Sequence, residues 1–398
     1  MVIDMLTIVH GKIKTMTDVV YEDGFLQIEN GKITAIGSMA ECPLERTDTR
    51  VTTGTKVINA KGNLVMPGII EAHCHMGITE EKKGMEGDDC NENVDPITPY
   101  LRAIDAINPM DAAFDDALRA GITSAMIGPG SSNVVGGQFA FIKTHGRCID
   151  NMIVKAPAAM KVAFGENPKV NFSGNGVSPA TRMAIAAMLR QEIINAKEYY
   201  DKRTNNNCQM DFKYECWSPV LEGKIPLKAH VHRADDILTA IRIAKEFGLS
   251  MTLDHCSEGH LIAEEIKESG FPAIVGPDMA SRNKIEVQNM AFKTAGILSQ
   301  AGIRVAITTD HPVSMIQFLP ICAGLAVKSG LSEEDGFRAI TINPAKICGV
   351  DDRVGSLEIG KDGDVVIFDG NPMEVFTKAL CTIIEGNIVY TDENAKLL

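Results

Sequence analysis

The chain has 398 residues, 45% hydrophobic and 23% charged, a globular composition with ample material for a core and too long for one small domain. Lys and Arg number 39 against 52 Asp and Glu, a net charge of −13, so a nucleic-acid backbone is not the expected partner. No apolar stretch approaches the roughly 20 residues needed to span a bilayer.

Residues 1–5 lack the basic start and apolar run of a signal peptide. Ten cysteines lie scattered without CxxC spacing in a chain that needs no staples. Reduced thiols and a cytoplasmic location are expected.

Residues 1–60 read as short strands with tight turns. Residues 5–13 and 25–36 are rich in β-branched side chains, and Asn30-Gly31 splits the second run with a type I′ turn signal. The other end is similar, with a strand over 364–368 and a hairpin over 381–390 turning at Glu385-Gly386-Asn387. Two β-rich ends around a different middle predict one small β-sandwich built from 1–60 and 346–398.

The middle, 61–345, alternates strands and helices. Strands are expected over 65–75, 123–128, 160–164, 227–232, 250–255, 273–276 and 305–309, with 138–144 as an eighth. Asn108-Pro109 is expected to start a helix ending at Gly121, and Ser178-Pro179 a long one. Residues 233–248 repeat Ile237, Ile241 and Ala244 on one face before a glycine stop. Such alternation favours an α/β fold of the (β/α)8 barrel type. A doubly wound sheet is the alternative, but no GxGxxG phosphate turn supports it.

Several of these apolar strands run into ionisable residues. The first ends at His73 and His75, which a strand's period of two puts on one face. Others end at Glu166, at His230 and His232, at Asp254-His255 and at Asp310-His311. HxH alone is short enough to arise by chance. However, six of the nine histidines lie in these endings, at the carboxyl face where barrel enzymes place their chemistry. That concentration points to a metal site.

The segments PGIIEAHCH (67–75), AGITSAM (120–126), AHVHRADD (229–236), LDHCSEG (253–259), TTDHP (308–312) and the run 343–369 together resemble the amidohydrolase superfamily, in its imidazolonepropionase-like branch. The resemblance covers nearly the whole chain. It implies a distorted barrel, a small β-sandwich and one or two divalent ions, zinc first, with manganese, iron or nickel as alternatives. It also implies His73 and His75 as ligands of the first metal, His255 as the strand-six ligand and Asp310 as the strand-eight aspartate. His232, followed by Asp235, is favoured over His230 as the strand-five ligand. For the bridging ligand, Glu166 resembles the glutamate of some relatives and Lys161 the lysine that others carbamylate. Glu166 is placed slightly ahead because it needs no modification.

A ligand set with an open position lets a divalent ion acidify water, and Asp310 would accept the proton as a general base. The expected activity is hydrolysis of a C–N (amide) bond in a small molecule. A deaminase on the same scaffold and a noncatalytic relative are the alternatives. No nucleic-acid or membrane partner is expected, and the resemblance is compatible with a homo-oligomer. Residues 79–100 form an acidic loop around Lys82 and Lys83 that could select a cationic substrate or simply be solvated. The glycine-rich run 128–138 could hold a carboxylate through backbone N–H groups or be an ordinary turn.

Overall fold

Turn chemistry shapes both ends of the chain. In the computed structural model, which describes residues 5–43, 55–81, 84–174, 176–205, 209–395 and 397, β1 (Met5–Lys14) precedes a hairpin of β2 (Val20–Glu29) and β3 (Lys32–Ser38). Asn30 and Gly31 join the hairpin with φ of 50° and 78°, as a type I′ turn demands. β4 (Thr55–Asn59) and β5 (Leu64–Pro67) follow. Eight strands then form a second sheet: β6 (Ile69–Cys74), β7 (Ile122–Ile127), β8 (Val135–Lys143), β9 (Ile153–Ala163), β10 (Leu227–Val231), β11 (Met251–His255), β12 (Ala273–Val275) and β13 (Val305–Ile307). The chain closes with β14 (Val365–Phe368), β15 (Ala379–Ile384) and β16 (Asn387–Thr391), the last two joined through Glu385 and Gly386.

Strands from the two ends share one sheet, in the order β16-β15-β14-β5-β1-β2-β3 with β4 on β1. Leu6, Ile8, Leu26, Ile28, Val65, Val365 and Ile367 are buried together on it. Lys82 and Lys83 of the acidic loop lie outside the described residues, as do Cys208, 1–4 and 44–54.

The middle of the chain forms a nearly closed eight-stranded barrel sheet, β13-β12-β11-β10-β9-β8-β7-β6. Its strands are buried along their length, except that the first five residues of β9 are half-buried or exposed. Past the strand ends, His75 N–H donates to His311 O (2.8 Å) and the Thr308 hydroxyl to His73 O (2.6 Å), drawing the two edges together.

Three expectations are corrected. The run 65–75 is two strands rather than one: β5 joins the terminal sheet and β6 the barrel. The chain changes sheets at Gly68, where a Cβ would lie 1.9 Å from Thr123 Oγ1. The barrel is not wholly parallel, since β8 runs antiparallel to both β7 and β9. Only residues 128–134 separate β7 from β8, too few for the crossover that parallel strands need. The helices also start later than expected, at Ala112 and Arg182. Thr181 caps the second by accepting from Ala184 N–H (3.0 Å). The helix Ala234–Phe247 does end at Gly248, with φ of 68°.

Candidate metal centre

Alternate residues of a strand share a face, and β6 delivers His73 and His75 together at its carboxyl end. His73 Nδ1–H donates to Asp254 Oδ2 (2.7 Å), His75 Nδ1–H to Gly128 O (2.7 Å) and His255 Nδ1–H to Gly276 O (2.9 Å). Carbonyls and carboxylates only accept, so each contact fixes a proton on Nδ1, and wherever the ring is neutral the Nε2 lone pair is the free one. That is the tautomer a metal-binding histidine needs.

Asp310 approaches from the end of β13. Its Oδ1 lies 3.2 Å from His75 Nε2 and 3.5 Å from His73 Nε2 and is buried with no hydrogen-bond partner. Asp310 and His255 both have left-handed backbones, with φ of 51° and 71°. Strain of this kind, of order 1–3 kcal/mol per residue, persists where the surroundings impose it. The ligand atoms of His73, His75 and Asp310 lie within 4.8 Å of one another, as do those of His230, His232 and His255. An acceptor left without a hydrogen bond beside converging imidazoles is a donor set that fits a divalent ion.

Burial keeps His73 and His255 well below the ordinary imidazole value, aided by Lys161 near both. His232 is held low by burial and by His230. His75 differs: burial pulls it down, but the Cys90 sulfur and Asp310 outweigh that and raise it to about 10.

His230 and His232 both enter the second cluster. His232 Nδ1 meets Ser257 Oγ at 2.8 Å, while His230 Nδ1 is buried without a hydrogen-bond partner. The two proposed bridging residues part company. Lys161 is fully buried and its Nζ lies 3.3 Å from His73 Nε2, with burial lowering it to about 8. Gly136 leaves room for its stem, since a Cβ there would sit 3.3 Å from Lys161 Cγ. Glu166 belongs to neither cluster. Gly165, with φ of 84°, turns the chain so that Glu166 opens the helix Glu166–Ser173.

Sequence reasoning gave no supporting role to several residues. Asp254 also accepts from the Thr252 hydroxyl (2.8 Å) and pairs with Lys228 Nζ at 3.1 Å. Glu71, wholly buried, accepts from Thr309 N–H (2.9 Å) and hydroxyl (2.6 Å). Asp254 and Lys228 sit on apolar strands, where an ionisable residue was itself a signal. Glu286, from the loop after β12, carried none.

A cleft of about 740 Å³ opens over these groups, lined by His75, His232, Asp310, Cys90, Ser131 and Lys284 among others. The acidic loop contributes Asp88, Cys90 and Asn91 to it. In the glycine-rich run, Gly128 and Gly130 N–H are already bonded to Cys74 O and Cys90 O, so those two donors are not available to a carboxylate. No helix among the described residues is long and apolar enough to cross a membrane.

Comparison with known proteins agrees with this geometry. The amidohydrolase family profile matches residues 220–389. An amidohydrolase from Thermotoga maritima MSB8, solved by crystallography, is 36% identical, covers 97% of this chain and all of its own, and superposes with a TM-score of 0.92. Amidohydrolase tasK of Hapsidospora irregularis is 26% identical over 93% of this chain, which spans 40% of that protein's length. The imidazolonepropionase of Fusobacterium nucleatum is 23% identical over 90% of this chain and 88% of its own. With 36% identity to the Thermotoga protein across nearly its whole length, and with the barrel and histidine clusters described above, the chain belongs to the amidohydrolase family and is a hydrolase acting on carbon–nitrogen bonds.

Proposed function

We propose that this hydrolase opens an amide-type C–N bond, cyclic or peptide-like, in a small molecule, and that it does so with one or two divalent ions, zinc first. The observation that carries the reading is the approach of Asp310 Oδ1, free of hydrogen bonds, to the Nε2 atoms of His73 and His75. His73, His75 and Asp310 would hold one ion, and His230, His232 and His255 the other. Lys161 is favoured over Glu166 as the bridge because its ammonium nitrogen reaches His73 and its lowered pKa supplies the neutral amine that adds to carbon dioxide, losing a proton. The ions, when bound, polarise a carbonyl and acidify water.

The remaining chemistry belongs to the chain. Asp310 takes the proton from the attacking water and returns it to the leaving nitrogen, base and then acid. Asp254, Gly128 and Gly276 hold the imidazoles in the required tautomer. The same reading takes 1–60 and 346–398, with β5 between them, as a small β-sandwich beside a barrel built from the rest of 61–345. The nine described cysteines are all free, which supports action in the reducing cytoplasm. Homo-oligomerisation is part of the proposal only by family likeness.

Asp310→Asn tests the mechanism. It should leave the fold and most of the metal in place and lower turnover of a cyclic or peptide-like amide about 10²–10⁴-fold. Retained turnover would remove Asp310 from the mechanism. Ammonia release from ring amines, with no amide opening, would favour a deaminase.

A further inference from the structure

Glu286 is a buried carboxylate on the loop after β12, in the segment Ile285–Val287. Its two oxygens have separate surroundings. Oε2 accepts from Glu166 N–H at 2.9 Å. Gly165 lets it come that close, since a Cβ at 165 would sit 2.8 Å from the same oxygen. With Oε2 anchored, Oε1 faces the second histidine cluster, 3.6 Å from His230 Nε2 and 3.9 Å from His232 Nε2. The charge of Oε1 is met by the ammonium of Lys284 at 2.5 Å. Lys284 also donates to Asn167 Oδ1 (2.8 Å).

Two ligands about 2.1 Å from a shared ion at a tetrahedral angle lie about 3.4 Å apart. The separations of Oε1 from His230 and His232 are a few tenths of an ångström beyond that edge. A salt bridge alone would not require one oxygen to be tied to the backbone while the other is held against two imidazoles. We infer that Glu286 is a carboxylate ligand of the His230–His232–His255 site, contributed by the loop after β12, and that Lys284 is the cation it holds when no divalent ion is there. This rests on the metal-dependent reading above.

The test counts zinc. Full-length wild type, Glu286→Gln and Lys284→Met are stripped with a chelator, dialysed against zinc and measured by elemental mass spectrometry, with cobalt(II) absorption as a second readout. Glu286→Gln should lose one equivalent or bind it at least tenfold more weakly, and the cobalt bands of that equivalent should change. Lys284→Met, which removes the competing cation, should bind zinc as tightly as wild type or more so. Wild-type uptake by Glu286→Gln overturns the assignment and leaves the hydrolase reading intact. Equal losses in both variants also overturn it, because Glu286 would then act only through its ion pair. Should Glu286→Gln fail to fold, Lys284→Met alone decides, and weakened zinc binding there refutes the inference. No zinc or cobalt uptake by wild type would sink both this assignment and the metal-dependent reading.

Discussion

Asp254→Asn is the substitution most informative about how the centre is held. Asp254 is fully buried and places Oδ2 between His73 Nδ1 (2.7 Å) and Lys228 Nζ (3.1 Å). Asparagine keeps the shape and removes the charge, which strands the buried Lys228 ammonium. Breaking a buried pair in this way typically costs 3–5 kcal/mol. Lys228 keeps its bond to Ala72 O (3.0 Å), so the low end, about 3 kcal/mol, is expected. At about 2 °C per kcal/mol for a long chain, the melting temperature should fall by roughly 6 °C. Losing the anionic partner of His73 should also weaken zinc binding about 10–100-fold. Differential scanning fluorimetry and chelator competition read the two effects. Adding Lys228→Met should restore most of the stability without restoring zinc affinity, because His73 still lacks its carboxylate. A single variant that melts within a degree of wild type and binds zinc as tightly would refute the reasoning.

Three further outcomes are expected. In metal-free protein, His73, His232 and His255 are held well below their unfolded value of 6.5. Their stability contribution is therefore present above 6.5 and lost as the pH falls, with His230 adding in the same direction. His75, raised to about 10, acts oppositely: its contribution is full below 6.5 and is lost as the pH rises toward 10. Urea melts at pH 7.5 and 5.5 should show a net loss of about 3 kcal/mol at the lower pH, and a flat profile would count against buried neutral imidazoles. With Lys161 at about 8, bicarbonate-dependent reactivation by zinc should slow about tenfold per pH unit below 8 and vanish in Lys161→Met; bicarbonate-independent recovery would argue against carbamylation. Gly68→Ala, which drives a Cβ into Thr123, should destabilise by about 1–3 kcal/mol or more by overpacking, and an unchanged melting temperature would contradict that contact.

The strand endings were legible because burial makes an apolar run and an ionisable side chain interrupts it. His73, His75, His230, His232, His255 and Asp310 all interrupt such runs. The reversal of β8 was legible in principle from the short 128–134 connection, yet its apolar pattern is the same in either direction. Lys161 and Glu166 differ by five positions along one segment, and only the turn at Gly165 decides which of them faces the histidines. Glu286 lies on a loop with no period, and its contacts to His230 and His232 join residues more than 50 positions apart. A left-handed aspartate or histidine, as at 310 and 255, leaves no compositional trace.

Because β8 is inverted, its amino end reaches the rim that carries the histidines and its carboxyl end the opposite pole, where Lys143 grips Asp362 (2.8 Å) and Asp364 (2.6 Å) beside the terminal sheet. The connections on either side of it therefore differ in how freely evolution can lengthen them. Added residues in 144–152 would project from the pole away from the histidines. Added residues in 129–134 would displace Ser131 from the cleft and Gly130 from Cys90. Length variation among relatives should gather in the first connection, and changes of substrate in the second.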